Sequence, residues 1–153
     1  VIHRRQRQMC IRDSIRTSWL YSSFGKNFVK TIIEKSKSKD LLKIVGDQYG
    51  CPTNAYDLAN AIMQIIKSKD RFDKESKIYN FSNLGYTSWF EFAKVILKEI
   101  NIKCNLEEIN TNEISQLSKR PKFAITNKTK IISAFNLKIP DWKESLMKFL
   151  KNI

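Results

Sequence analysis

Hydrophobic positions recur along the chain with two alternating periods, one typical of strands and one of helices. Short apolar runs predict strands at residues 15–21, 41–45, 77–82 and 103–109. Apolar residues three and four positions apart predict helices at residues 27–38, 53–67, 88–100, 127–135 and 141–150. Strands that alternate with helices in this way predict an α/β protein with some parallel strand pairing.

Polar residues at the predicted helix starts indicate how the helices are capped. Two of these residues have a glutamate three positions later, which predicts capping boxes: Ser88 with Glu91, and Asp141 with Glu144. Thr53 is expected to cap the helix that follows it, because its hydroxyl can accept a hydrogen bond from a free backbone N–H. These caps set the expected order of loops and helices.

Three polar segments follow or join the predicted strands. They are residues 19–23, 47–53 and 81–89, and each is rich in Ser, Thr, Asn, Gly or aromatic residues. Ligands of parallel α/β sheets bind at the carboxyl ends of the strands. We therefore expect these three segments to form one ligand-facing rim.

Composition narrows the class of protein. The chain has 153 residues with 42% hydrophobic residues and nine Phe, which suits one globular domain or part of a larger one. No apolar run approaches the roughly 18 residues that would span a bilayer, so no membrane partner is expected. Cys10, Cys51 and Cys104 are odd in number and far apart, which predicts a reducing, cytoplasmic location. His3 is the only histidine, which argues against a His-based triad or metal cluster.

The formal net charge of +13 raises the alternative of a basic nucleic-acid-binding protein. The lysines, however, are scattered among Ile and Asn and do not form a stripe with aromatic residues. We therefore expect a solvated, lysine-rich surface and no nucleic-acid partner, and keep nucleic-acid binding as an alternative.

The opening residues 1–14 differ in composition from the rest of the chain. They contain four of the seven arginines and no lysine, without helical or alternating apolar period. They resemble translated read-through of a sequencing adapter, so we expect a non-native segment here and the functional part at residues 15–153. A basic arm that binds nucleic acid is the alternative for this segment.

Six motifs follow one another along the chain: RTSWLYSSFGKNFVK, DQYGCPT, YDLANAI, YNFSNLGYTSWFEFAK, KRPKFAI and IPDWKESL. Together, in this order, they resemble the dTDP-4-dehydrorhamnose reductase family of the extended short-chain dehydrogenase/reductase superfamily. The resemblance runs from about residue 15 to the last residue. It implies the C-terminal, substrate-binding portion of a Rossmann-like NAD(P)-binding fold, with the N-terminal Rossmann half missing.

The family reaction that the resemblance implies is reduction of the C4 ketone of dTDP-4-dehydro-6-deoxy-L-mannose, giving dTDP-L-rhamnose. NADPH is expected to be the cofactor, held mainly by the N-terminal half. Some family members use Mg²⁺, although no metal ligands can be assigned in this sequence. The dTDP-sugar is the expected partner, and the whole enzyme is expected to be able to form a homodimer.

The sequence departs from the family pattern in its catalytic motifs. The family's proton donor is a tyrosine with a lysine four residues later, and none of the five tyrosines here has one. The four glycines do not compose a GxxGxxG phosphate loop. We therefore expect no catalytic residue in this chain and no activity of the chain alone. A nucleotide-sugar or anion-binding module without catalysis is the alternative.

The resemblance assigns roles to residues at the first rim segment. Trp19 is expected to pack on the sugar ring, or else to be an ordinary core aromatic. Thr17 and Ser18 are expected to contact the nicotinamide of the cofactor, or else to serve strand-end turn chemistry. Asn27 is expected near the diphosphate, or else to act only as a helix cap.

Other segments supply further substrate-binding candidates. Arg120 is expected to grip the diphosphate with two hydrogen bonds, with a surface salt bridge as the alternative. Gln48 and Thr53 are expected to line the sugar channel, unless Gly50 and Pro52 alone explain the shape of their loop. No metal-binding residue is assigned.

Overall fold

Short strands alternate with helices along the chain, as the sequence predicts. The computed structural model describes residues 13–68, 77–114 and 120–153. The helices in these ranges are α1 (Phe28–Ser36), α2 (Ala55–Lys67), α3 (Trp89–Glu99), α4 (Thr129–Phe135) and α5 (Trp142–Leu150). The strands are β1 (Asp13–Arg16), β2 (Leu20–Tyr21), β3 (Leu41–Val45), β4 (Tyr49–Gly50), β5 (Thr53–Asn54), β6 (Lys77–Asn80), β7 (Thr87–Ser88), β8 (Asn105–Ile109) and β9 (Phe123–Ala124).

The strands form four small sheets, and most of their pairs are parallel. β1 pairs with β6, β2 with β5, and β3 with β8, all in parallel register. β4 lies between β9, to which it is parallel, and β7, to which it is antiparallel. The predicted α/β class with parallel pairing is therefore confirmed.

The strand predicted at residues 15–21 is divided into β1 and β2. Trp19, between them, has a φ of +45°, a left-handed conformation that cannot continue a strand. β1 also begins at Asp13, two residues before the predicted start, and the Asp13 carboxylate accepts a hydrogen bond from Lys77 N at 2.9 Å. The fold thus includes two residues of the segment 1–14, whose other residues lie outside the described ranges.

Side-chain caps fix several helix starts. Asn27 caps α1, and the predicted cap of α2 shifts by one residue because Asn54, not Thr53, accepts the hydrogen bond from Tyr56 N. Ser88 caps α3 and Asp141 caps α5, as predicted.

The predicted capping boxes are only half formed. Ser88 and Asp141 make the cap hydrogen bonds, but Glu91 and Glu144 pair with lysines one turn or less away in the helix. Both glutamates are exposed, so these pairs compete with the reciprocal hydrogen bond of a box.

Two clusters of buried side chains form the core. The first packs α1, α3 and α5 around β3, and its buried members are Tyr21, Val29, Ile32, Leu42, Phe92, Ala93, Ile96, Leu97, Trp142 and Leu146. The second packs α2 and α4 against β6, and its buried members are Ala61, Ile65, Tyr79, Phe81, Ile131, Phe135, Leu137 and Ile139. The first cluster reaches the candidate site, because Trp19 and Trp89 pack on its edge.

The apolar stripe predicted on α2 is buried only along one side. Ala61 and Ile65 lie in the second core cluster, whereas Ile62 and Ile66 are 37% and 50% exposed. Successive residues on a helix point about 100° apart. The second core cluster therefore covers Ala61 and Ile65 but leaves Ile62 and Ile66 partly in solvent.

Candidate functional site

A pocket of about 290 Å³ opens where four segments of the fold meet. It is lined by Trp19, Gln48, Tyr49, Trp89, Arg120, Pro121 and Ala124. Trp19 comes from the link between β1 and β2, Gln48 from the loop before β4, and Trp89 from the start of α3. The pocket therefore joins the three rim segments that the sequence placed together, and adds the segment with Arg120.

Trp19 is held against the backbone of β4 and the ring of Trp89. A Cβ atom added to Gly50 would lie 2.4 Å from Trp19 Cε2, so only glycine allows the indole this close approach. The indoles of Trp19 and Trp89 are stacked, with centroids 3.4 Å apart and planes 10° from parallel. One face of Trp19 is thus already covered by a second indole.

Aromatic rings continue on both sides of this pair. Phe28, the first residue of α1, has its ring centroid 4.4 Å from that of Trp89. Across the β4–β9 pair, the Tyr49 and Phe123 rings are stacked with centroids 5.4 Å apart. Of these rings, Trp19, Tyr49 and Trp89 line the pocket and give it flat, apolar surfaces of the kind that pack on sugar or base rings.

Gln48 is nearly buried, with 4% of its surface exposed, and is held by Thr111. Its Nε2 donates to Thr111 Oγ1 at 3.0 Å. Thr111 in turn donates to the Asp47 carboxylate from its hydroxyl at 2.6 Å and from its backbone N–H at 2.9 Å. The hydroxyl hydrogen bond from Thr111 holds the pKa of the Asp47 carboxyl below its usual value, with a further contribution from Lys122.

Thr17, Ser18 and Thr53 connect two loops beneath the pocket. Thr17 Oγ1 donates to Thr53 Oγ1 at 3.2 Å, and Ser18 Oγ donates to the Cys51 carbonyl at 2.9 Å. Thr53 is fully buried, and its Oγ1 donates to the Ser18 carbonyl at 2.6 Å. These hydrogen bonds fix the backbone that carries Trp19. Thr53 is not among the lining residues, so its role as a substrate contact stays a prediction.

Asn27 lies at the start of α1, outside the lining of the pocket. Its Oδ1 accepts from Lys30 N at 3.1 Å and its Nδ2 donates to the Ser22 carbonyl at 2.7 Å. Both ends of the amide therefore serve the helix start. The next residue, Phe28, brings this helix start against Trp89.

Arg120 is the cation in the lining of the pocket. It is exposed, and it forms no ion pair with any residue in the described ranges. Lys122 lies close by, with its Nζ 3.9 Å from Asp47 Oδ2 and most of its side chain in solvent. The guanidinium is thus available for an anion, beside a second and weakly paired positive charge.

Four lining residues are not among the candidates from the sequence, namely Tyr49, Trp89, Pro121 and Ala124, and Trp89 is the one that stacks on Trp19. The position of Trp89 directly after the cap Ser88 made it look like an ordinary apolar residue of an amphipathic helix. The available signal was its place at the end of the 81–89 segment, which the strand-end rule put on the ligand rim.

The described ranges contain neither a metal cluster nor a membrane-spanning helix. No group of three or more His, Cys, Asp or Glu side chains there is arranged to hold a metal ion. The helices in the same ranges are all too short or too polar to cross a membrane.

Comparison with known proteins identifies the family. The sequence profile described as RmlD substrate binding domain matches residues 3–153. A dTDP-4-dehydrorhamnose reductase of Aggregatibacter actinomycetemcomitans is 36% identical over 140 residues, which cover 86% of this chain and 47% of that protein. The spore coat polysaccharide biosynthesis protein SpsK of Bacillus subtilis (strain 168) is 34% identical over 146 residues, which cover 94% of this chain and 49% of the relative.

Solved structures agree with the sequence relatives. The dTDP-4-dehydrorhamnose reductase of Bacillus anthracis str. Ames, solved in complex with NADP, superposes with a TM-score of 0.81 at 36% identity, covering 92% of this chain and 48% of that one. The fold class expected from the resemblance, the C-terminal, substrate-binding portion of an extended short-chain dehydrogenase, is confirmed. The chain spans about half the length of the relatives that it matches, and by its profile match it belongs to the RmlD substrate binding domain family.

Proposed function

We propose that this chain is the sugar-nucleotide-binding part of an NADPH-dependent dTDP-4-dehydrorhamnose reductase. The proposal rests on one pocket whose lining combines the stacked indoles of Trp19 and Trp89, the nearly buried amide of Gln48 and the available guanidinium of Arg120. A nucleotide-sugar presents a sugar ring with an apolar C–H face and hydroxyl groups next to a diphosphate, and these three kinds of side chain complement it.

Each candidate residue has a role in this proposal. Trp19 packs on the hexose ring, and Gln48, held by Thr111, is a hydrogen-bonding partner for a sugar hydroxyl. Arg120 holds the diphosphate with its fork of N–H groups, a geometry that a lysine does not offer. Asn27 favours the same anion through the N-terminal end of α1, and Thr53 supports the site from below.

The cofactor side of the proposal rests on Thr17 and Ser18. Thr17 is exposed and its hydroxyl donates to Thr53, so its oxygen lone pairs remain able to accept from a carboxamide. These residues fit the edge of a nicotinamide, although most of NADPH would lie on the part of the enzyme that this chain does not cover. When bound, NADPH supplies the hydride that reduces the ketone. The residues at the pocket give no support for Mg²⁺, and no step is assigned to it.

The whole enzyme is proposed to be cytoplasmic and homodimeric, without membrane or nucleic-acid partners. Because its sequence lacks the Tyr-x-x-x-Lys pair, this chain alone is expected to bind the sugar nucleotide but not to oxidise NADPH. NADPH-dependent turnover by the purified 153-residue chain would contradict this expectation.

The binding test is calorimetric titration of the chain with dTDP-glucose. Arg120→Lys is the informative variant, because it keeps the charge and removes the fork of N–H groups. We expect its affinity to fall by about tenfold, since a two-bond grip is worth more than a point charge. Lys122→Arg is the control, expected to change affinity less than twofold. Equal affinities of Arg120→Lys and the unmodified chain would remove Arg120 from the site.

The catalytic test is a fusion of this chain to the part of the Bacillus anthracis relative that it does not cover. NADPH oxidation by the fusion with the 4-keto sugar nucleotide supports the reductase. Binding without turnover, in a fusion whose relative-derived part binds NADP, would favour a module that only binds the sugar nucleotide. Steeply salt-dependent binding to DNA would instead support the nucleic-acid alternative raised by the charge of +13.

A further inference from the structure

Trp19 has a left-handed backbone conformation, which is unfavourable for tryptophan unless surrounding contacts hold it. Its φ of +45° lies in the left-handed region, which is unfavourable for a bulky residue outside a turn that requires it. Such residues persist only where the surrounding structure holds them, and they are concentrated at binding sites. The contacts that hold Trp19 therefore bear on how the pocket works.

Two contacts of the Trp19 indole are closer than its packing on Phe92, whose ring centroid is 6.4 Å away. One is the backbone of Gly50, against which the ring lies so closely that no Cβ fits. The other is Trp89, whose indole is stacked on Trp19 with only 10° between the planes. Gly50 limits the position of the ring, whereas the broad face of Trp89 limits its tilt.

Trp89 is itself fixed by a rigid element. It is the first residue of α3, directly after Ser88, whose Oγ accepts a hydrogen bond from Glu91 N at 3.1 Å. The ring of Phe28 packs against it with a centroid distance of 4.4 Å, which connects it to the start of α1. A ring anchored at a capped helix start provides a firmer support than a loop residue would.

We propose that Trp89 is a positioning residue for the sugar subsite: by stacking on Trp19 it fixes the plane that meets the hexose ring of the ligand. The inference rests on the proposed function, since it assumes that the pocket takes a nucleotide-sugar. Arg120 lies in the lining of the same pocket and would hold the diphosphate. Recognition of the sugar ring can therefore be measured separately from recognition of the diphosphate.

The test compares two ligands, dTDP-glucose and dTDP, which differ by the hexose. The unmodified chain is expected to prefer dTDP-glucose. Trp89→Leu removes the stacking face and should reduce this preference by about tenfold while leaving the affinity for dTDP within about twofold. Trp89→Phe keeps a flat ring and should retain most of the preference. Trp142→Phe is the control, because Trp142 is buried in the first core cluster and does not line the pocket.

Circular dichroism gives a readout that is independent of binding. Two indoles stacked at 3.4 Å produce a coupled signal, which Trp142→Phe should preserve and both Trp89 variants should abolish. Trp89→Phe would then lose the signal but keep the ligand preference, whereas Trp89→Leu would lose both. Thermal unfolding of each variant establishes that the comparison is made between folded proteins.

Each outcome decides the proposal. An unchanged preference for dTDP-glucose in Trp89→Leu overturns the proposal for Trp89. Equal affinities of the unmodified chain for dTDP and dTDP-glucose overturn it as well, although the chain would then still be a nucleotide-binding protein. Binding of neither ligand by the unmodified chain overturns the proposed function and this inference with it. If Trp89→Leu does not fold, Trp89→Met, which also lacks a flat ring, is measured alone and combined with Trp19→Phe. Non-additive losses of preference then support coupling between the two rings, and additive losses overturn it.

Discussion

Substitution of Gly50 by alanine tests how closely the pocket is packed. The new Cβ would lie 2.4, 2.6 and 2.7 Å from Trp19 Cε2, Nε1 and Cζ2. Gly50 itself cannot move far, because β4 is paired with strands on both sides. The Trp19 ring must therefore shift by about 1 Å to reach ordinary contact near 3.5 Å.

The expected loss of stability follows from three contributions. Forcing a methyl group into a packed site costs about 1–3 kcal/mol. Disturbing the stack on Trp89 costs about 0.5–1.5 kcal/mol. Because Gly50 is not in the left-handed region, alanine also restricts the unfolded chain and returns about 0.4–1 kcal/mol. The net loss is about 0.5–4 kcal/mol, and each kcal/mol lowers the midpoint of thermal unfolding by about 2–4 °C for a chain of this size.

The assay is urea unfolding followed by far-ultraviolet circular dichroism, with the near-ultraviolet signal of the indole pair recorded on the same samples. Gly25→Ala is the matched control. Gly25 has a φ of +66° and no atom within 4 Å of an added Cβ, so alanine should cost about 1 kcal/mol through the backbone and leave the indole signal unchanged. In a Trp19→Leu background the effect of Gly50→Ala should largely disappear. A Gly50→Ala protein with unchanged stability and an unchanged indole signal would refute the reasoning.

Three further predictions concern stability. Tyr21→Phe should be neutral or stabilising by about 1 kcal/mol in urea unfolding, since its buried hydroxyl has no hydrogen-bond partner in the described ranges. Burial raises the pKa of Tyr21, so the stability of the unmodified protein should fall as the pH rises above about 10. The fall should be smaller in Tyr21→Phe. Equal slopes of stability against pH in the two proteins would contradict this. The lowered pKa of Asp47 adds stability above about pH 4, and this stability is lost as the pH falls through the folded-state pKa. Thr111→Val should weaken this acid dependence of the unfolding free energy. An unchanged dependence of stability on pH in Thr111→Val would contradict the prediction. Ser88→Ala should cost about 1 kcal/mol by thermal unfolding, because it removes the cap of α3, whereas a cost near zero would show that water replaces the cap.

The apolar pattern predicts the regular elements well where one face of an element is buried along its whole length. β3 has the bounds that the sequence predicts, because Leu42 and Ile44 turn one face of the strand inward while Leu41 and Lys43 on the other face are exposed. The pattern fails at residues 15–21, where four of the seven residues are apolar and one continuous strand is predicted. There the hydrogen bonds of Ser18 and Thr53 to distant backbone atoms determine the conformation, and sequence spacing carries no trace of them.

The residues of the candidate site are also predictable from the sequence only in part. Trp19, Gln48 and Arg120 line one pocket. The strand-end rule predicts one rim for Trp19 and Gln48, whereas Arg120 is suggested only by the family resemblance. The stacking of Trp19 on Trp89 cannot be predicted from the sequence, because contacts between residues 70 positions apart leave no periodic pattern. Trp89 also fits the apolar pattern of an amphipathic helix equally well. The one residue in the sequence that points to it is Gly50. A glycine in a strand, without a positive φ, has to be explained by a close approach, and here the approaching group is the indole that Trp89 holds in place.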